Sequence, residues 1–337
     1  MSPTIRAVTI TGGTAGGVRN FGTLALGDTT IRDNSADSGG GISNFSGELT
    51  LQGSVVSANN AAGAGGGIRN IQGALTLEDT TVSGNSAASA LAGGGGIHND
   101  GGTVTVVDST ISGNAATHVD GSGGGIQTGG GGTLTLVRST VSGNTAGRQG
   151  GGISSFGTPV SVEGTTVSDN TSGSFGGGIA SDGPVTLTDS TVRDNRTTGH
   201  PMFGASGGGI CGNVQTILRS TISGNHAAGS FGGICSAKFV IESSINDNTA
   251  AVNGGAMGVG PGPGAATTLR RTKINDNVAG QLGGGIFAGG GPLTLEDSEV
   301  KKNAAGIDGG GIYNAGGQVT LTRSKVKNNT PNDCVGC

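Results

Sequence analysis

Four histidines, His98, His118, His200 and His226, are the side chains of this 337-residue sequence whose ordinary proton affinity lies nearest neutral pH. His118 and His200 fall in the two longest stretches that interrupt an otherwise repetitive text, at 117–122 and 197–206, together with Asp120, Met202 and Phe203. Removing a proton next to a carboxylate, as β-elimination does, needs a base near the carbon and a cation to neutralise the carboxylate. His118 or His200 would be the base and Arg148 the cation. Binding without turnover would draw on the same neighbourhood: His98, Asp120, Gln127, Phe175, Met202, Phe203, His226 and Phe231. A third use of Phe175, Met202, Phe203 and Phe231 is a groove for an apolar small molecule. Loops also tolerate varied residues for no functional reason, so this clustering is equally what a plain loop edge would give.

The other chemistry-bearing groups point mostly to structure. Asp169, Asp194, Asp247 and Asp276 each precede an asparagine, where carboxylates one repeat apart would suit Ca²⁺ or a shared proton. Gly84, Gly113, Gly143 and Gly224 hold the same position, which marks a left-handed turn that Asp tolerates. The glycine-rich Ca²⁺ nonapeptide is absent, so Ca²⁺ has no supporting motif, and no metal or cofactor is expected. G-x-G-x-x-G matches arise by chance at this glycine content and precede no helix. Cys211 and Cys235 share an outward position one repeat apart, where either a bridge or two thiols fits. Cys334 and Cys337 read as a terminal staple, and the pairs lie too many repeats apart for a four-cysteine zinc site. An outward threonine column (Thr50, Thr76, Thr105, Thr135) raises ice binding, but its neighbour reads Gln52, Glu78, Val107, Val137 and breaks the lattice. Any ligand site is therefore expected on the histidine edge and not on the threonine face.

What positions these residues is a repeat. An L-T-L segment, then S/T-T-V-S-G-N, then G-G-G-I-x-N recurs along the chain, and its asparagine falls at Asn34, Asn59, Asn85, Asn114, Asn144, Asn170, Asn195, Asn225, Asn248, Asn277, Asn303 and Asn329. The period is about 27 residues. Within a unit the alternation has period two: Leu75 and Leu77 inward with Thr76 out, Val82 inward, Ile97 inward with His98 out. Glycine makes up 74 residues, and its runs at 65–67 and 123–125 would each cost a helix about 1 kcal/mol per residue. Three short strands in about 27 residues fit one coil of a parallel β-helix better than a four-stranded propeller blade. The expectation is all-β: a right-handed parallel β-helix of about twelve coils over residues 1–330, with 331–337 as a short tail. Charges test the register, because unlike signs should face each other between coils. Arg271, Asp297 and Arg323 form one such column, Lys273, Glu299 and Lys325 another, and Asp108 would face Arg138 as Asp189 faces Arg219.

The units GGGISNFSG, STVSGN and GGGIYNAGG and the closing NNTPNDCVGC resemble the right-handed parallel β-helix repeat proteins related to bacterial polymorphic outer-membrane and autotransporter-like surface proteins, within the pectate-lyase-like superfold. The resemblance covers nearly the whole chain. It implies a secreted or surface-displayed solenoid with an adhesive, binding or scaffold role toward a glycan or cell-surface partner. The alternative it implies is a polysaccharide lyase, epimerase or hydrolase working along the irregular edge of coils four to eight. A net charge of -4 gives no broad cationic surface for nucleic acid. No apolar run is long enough for a transmembrane helix, and MSPTIRAVTI lacks the apolar core of a signal peptide. With no cap legible at either end, end-to-end self-association is a further expectation.

Overall fold

The computed structural model describes residues 4–90 and 93–337; residues 1–3, the start of the expected solenoid, lie outside the described residues. The chain divides into two compact units, Met1–Ser172 with Ile179–Pro184 and Gly173–Gly178 with Val185–Cys337. Each is a parallel β-solenoid, right-handed as expected, and the chain counts about twelve turns. Among the described residues the one helical element is a single 3-10 turn, Pro263–Ala265.

One turn of the first unit shows how the repeat builds itself. Its strands are Ile68–Ile71, Ala74–Glu78, Thr81–Ser83 and Ser86–Ala87. Each pairs in parallel with its copy in the next turn: Ile68 with Ile97, Leu75 with Val104, Val82 with Ile111, Ala87 with Ala116. Ile68, Leu75, Leu77, Val82 and Ala87 are all buried inside the turn. Full burial of each large apolar side chain contributes roughly 1.5–3 kcal/mol. The fourth strand goes beyond the three expected; its inward residue is alanine (Ala61, Ala87, Ala116, Ala146), which carries no strand signal of its own. Glycine is required where the chain then turns back, because a Cβ on Gly67 would meet the Gly96 carbonyl oxygen at 2.7 Å.

Polar ladders close the corners. Asn114 donates from Nδ2 to Asn144 Oδ1 (3.0 Å) and to Val82 O (3.0 Å), while its own Oδ1 accepts from Asn85 Nδ2 (2.9 Å) and from the Asn85 backbone N–H (3.0 Å). The same pattern links Asn34 to Asn170 in the first unit and Asn195 to Asn329 in the second. Two more ladders were not anticipated. Asn20, Asn44, Asn70 and Asn99 chain Nδ2 to Oδ1 and end on Thr128 Oγ1. Thr80, Ser109 and Ser139 pass backbone N–H to the next buried hydroxyl. An amide or hydroxyl can donate and accept at once, which lets one residue per turn satisfy its neighbours on both sides.

Two left-handed columns confirm the turn reading of the aspartates: Asp169, Asp194, Asp247 and Asp276 have φ of 58, 55, 56 and 56°. The second column carries the facing charges. Arg138 forks onto Asp108 (2.8 and 2.6 Å), Arg219 onto Asp189 (2.7 and 2.8 Å) and Arg323 onto Asp297 (2.6 and 2.8 Å). Arg271, expected opposite Asp297, turns instead to Glu242. Glu299 is in register with Lys273 and Lys325 but pairs with Lys327 at 3.1 Å. These exposed pairs fix alignment more than they stabilise.

Residues 331–337, expected as a tail, fold onto the last turn of the second unit. Cys334–Val335 pairs with Ile312–Tyr313, and Asp333 receives the final asparagine of the ladder. A carboxylate accepts and cannot donate onward, so the ladder's hydrogen-bond chain stops there. The segment covers the Ile312–Asn314 strand and ends the asparagine ladder, while Leu321 in the neighbouring strand of the last turn stays exposed.

Candidate functional site

In the first unit the residues of the Gly-Gly-Ile strand that point away from the core form two adjacent columns, the first of them partly covered, with Ser43, Gln127 and Ser154 buried. One runs Arg19, Ser43, Arg69, His98, Gln127, Ser154 and the other Phe45, Ile71, Asp100, Gly129. The alternation of the strand forces this, since positions two apart share a face. Phe21 and Phe45 stack with ring centroids 5.1 Å apart, and Phe21 is 72% exposed. Further along, His98, Asn99, Asp100, Gln127, Thr128, Gly129 and Phe156 line an open cleft of about 270 Å³. Gly129 leaves that space vacant: a Cβ there would lie 3.6 Å from Phe156 Cβ.

The cleft's polar groups are oriented. His98 Nδ1 sits 3.1 Å from Gln127 Oε1, so the ring carries its proton on Nδ1 and presents Nε2 as an acceptor. Burial lowers the His98 pKa below its ordinary value; the Gln127 bond opposes this and the nearby Arg69 charge adds to it. Asn99 forms the floor, its amide donating to Gly102 O at 2.7 Å and to Thr128 Oγ1 at 3.0 Å. Phe156, 38% exposed, is anchored by its N–H to Thr128 O at 2.9 Å. A neutral imidazole, an amide, a carboxylate and a phenyl face around one shallow cleft can bind a polyol by hydrogen bonds and ring contact.

No family model matches the chain, and no curated protein does. Among solved structures the Dettilon tailspike protein (gp208) is similar at 13% identity and a TM-score of 0.35, over 89% of this chain and 62% of that one. The chain thus spans less than two thirds of the tailspike's length. Function rests on the chain's own geometry.

The other sequence candidates separate into distinct places. In the first unit His118 Nδ1 accepts the Asp120 N–H at 3.0 Å, with the Asp120 carboxylate 3.8 Å away. Arg148 borders this loop through its N–H to Gly121 O at 2.8 Å. The His118 lone pair is therefore committed, and Nε2 carries the proton, which suits a donor better than a base. In the second unit His200 is only 6% exposed; its Nδ1 accepts the Met202 N–H at 3.2 Å, and its ring packs on Phe203. A short hairpin closed by mutual His200 and Gly204 backbone bonds presents Met202 to solvent. Phe175 and Ser230 flank this loop through Ser206.

His226 lies elsewhere, in the two-residue strand His226–Ala227, with Nδ1 2.7 Å from Thr249 Oγ1. Burial and then Arg196 lower its pKa. The sequence expected one histidine edge; the two-residue strand divides the stretch between asparagine and glycine run into a sheet part and a loop part. Phe231 adopts φ 65° where Gly207 and Gly254 hold the same position in neighbouring turns. Its ring rests on glycine backbone, since a Cβ on Gly254 would meet Cδ1 at 2.7 Å. Phe203 and Phe231 are thus used locally. Cys211 and Cys235 are joined, with Cα atoms 4.8 Å apart, and so are Cys334 and Cys337. Among the described residues no group of three or more His, Cys, Asp or Glu could hold a metal ion.

The sequence reading included His98 and Gln127 but missed Phe45, Asp100 and Phe156. For Phe45 and Asp100 the signal was available, since the residue after the asparagine of I-x-N points outward as surely as the one before it; Phe156 follows Ser155, just past its strand, and carries no such mark.

Proposed function

We propose that this chain is a non-catalytic, surface-exposed solenoid that binds a glycan along the outer face of the Gly-Gly-Ile strands of its first unit. The observation that carries this reading is the cleft of His98, Asp100, Gln127 and Phe156 at Gly129, with the stacked Phe45 and Phe21 rings further along the same strand face, beyond Ile71. A linear polymer suits a face whose side chains recur every ~4.8 Å. An adhesive or scaffold role on a cell or particle surface would use the same contacts. Both cysteine pairs being bridged supports an oxidising, extracellular location. Among the described residues no helix is long and apolar enough to cross a membrane.

The enzymatic reading, lyase, epimerase or hydrolase, would centre on the loop of His118 and Asp120, which the Arg148 backbone borders. His118 would first have to release the Asp120 N–H. A glycan array probed with the full chain, combined with ultraviolet detection of unsaturated products, tests both. Binding that Phe156→Ala removes, without product, is the expected result. Product formation that His118→Ala abolishes would replace the binding reading with the enzymatic one.

A further inference from the structure

Arg69 stands between Ser43 and His98 in the outward column of the glycan face. Three other arginines of the first unit are matched by carboxylates: Arg6 with Asp28, Arg32 with Asp33, Arg138 with Asp108. Arg69 has no hydrogen-bond or ion-pair partner among the described residues, although it is half-buried and its Nε is shielded from solvent. With Nε shielded, the two Nη amines are the donors that can meet the paired oxygens of a carboxylate or sulfate bidentately.

Arg19 occupies the same column two turns earlier, through Ser43. Two strand spacings put the cations ~9.6 Å apart. Arg19 makes only a 3.4 Å contact with Ala15 O and pairs with no carboxylate among the described residues. Phe21, Phe45 and Ile71 lie beside them in the neighbouring column, so apolar contact alternates with cationic contact. Asp100, which follows Ile71 in the neighbouring column, holds its Oδ1 beside Gly130 of the next turn, where a Cβ would meet it at 2.5 Å.

We propose that the glycan bound here is acidic, with Arg69 receiving one carboxylate or sulfate and Arg19 receiving the next charge of a polymer that is anionic on alternate sugars. The inference rests on the glycan reading above and names its ligand class. It requires Arg69 to discriminate charge, which a purely structural arginine would not do.

The test titrates the full chain with hyaluronan oligosaccharides, which carry a carboxylate on every second sugar, and with the same oligosaccharides after reduction of their carboxyls to alcohols. The expected result is about tenfold tighter binding of the acidic form, a preference that Arg69→Gln erases while leaving the reduced form unchanged. Affinity for the acidic form should fall with added salt. Arg19→Ala gives a second reading of the same preference if Arg69→Gln does not fold. Equal binding of both forms, abolished by Phe156→Ala yet indifferent to both arginine variants, overturns this inference and leaves the glycan reading standing. Binding of neither form, with no other glycan bound, overturns both.

Discussion

Asp333 Oδ1 accepts two hydrogen bonds from Asn329, one from the backbone N–H at 2.8 Å and one from Nδ2 at 3.0 Å. Asn303 finds the same pair of bonds in Asn329, and Asn277 finds it in Asn303. A residue only four positions on thus substitutes for one that should lie a full turn away. Asp333→Ala leaves the part-buried Asn329 backbone N–H without an acceptor, while Nδ2 keeps Val300 O and Lys327 O, and should cost about 1–3 kcal/mol, read as fraying of residues 325–335 by hydrogen exchange. Asp333→Asn keeps the acceptor and should stay close to wild type. Equal protection in Asp333→Ala and wild type would contradict the capping role.

Asn114 makes hydrogen bonds to three residues at a buried corner of the first unit. Asn114→Leu should therefore cost at least ~1–3 kcal/mol by urea unfolding, because the Asn85 donors and Val82 O lose their partner. Thr105→Ala, on the outward threonine column, should stay within about 0.5 kcal/mol.

Stability should fall between pH 7 and pH 5. Folding lowers the pKa of His98 and His226 below the ordinary 6.5, so the unfolded chain binds more protons as the solution becomes more acidic. The contribution is intact above about pH 6.5 and is lost downward to the folded values, where it levels off. Asp108, Asp189 and Asp297 act in a separate window: their arginine partners lower their pKa, so their contribution disappears only under more acidic conditions, as carboxylates protonate. Urea midpoints at pH 7 and pH 5 should differ less in His98→Gln than in wild type. An identical drop would mean that His98 is not desolvated.

Much of the architecture was legible because it repeats. Leu77, Val82 and Ile97 alternate with polar neighbours in turn after turn, and the opposite charges of Asp108 and Arg138, one repeat apart, are enough to set the alignment of neighbouring turns. The fourth strand was not legible, since Ala87 and Ala116 are too small and too ambiguous to mark an inward face. The site was half legible for a related reason. Rarity drew attention to the histidines, yet whether a histidine faces a cleft or spends its lone pair on a loop N–H is decided by backbone geometry, as His98 and His118 show. Phe156 and Asp100 are ordinary residues made notable only by the vacancy at Gly129.

Cys211 and Cys235 close a loop with a sequence separation of 24, against 3 for Cys334 and Cys337. In the chain-entropy picture the longer loop stabilises by roughly 3 kcal/mol and the shorter one by less. Paired serine substitution of Cys211 and Cys235 should lower the melting temperature more than the same change at Cys334 and Cys337. The opposite order would contradict that assignment.

The central claim, glycan binding on the outer face of the first unit, is tested most directly by calorimetric titration of an array-selected glycan into three proteins. These are the wild type, His98→Ala with Phe156→Ala, and Thr105→Ala with Thr135→Ala. Loss of at least about tenfold in affinity in the first pair, with the threonine pair matching wild type, is the predicted result. Loss confined to the threonine pair would contradict it and move the binding surface to the threonine column.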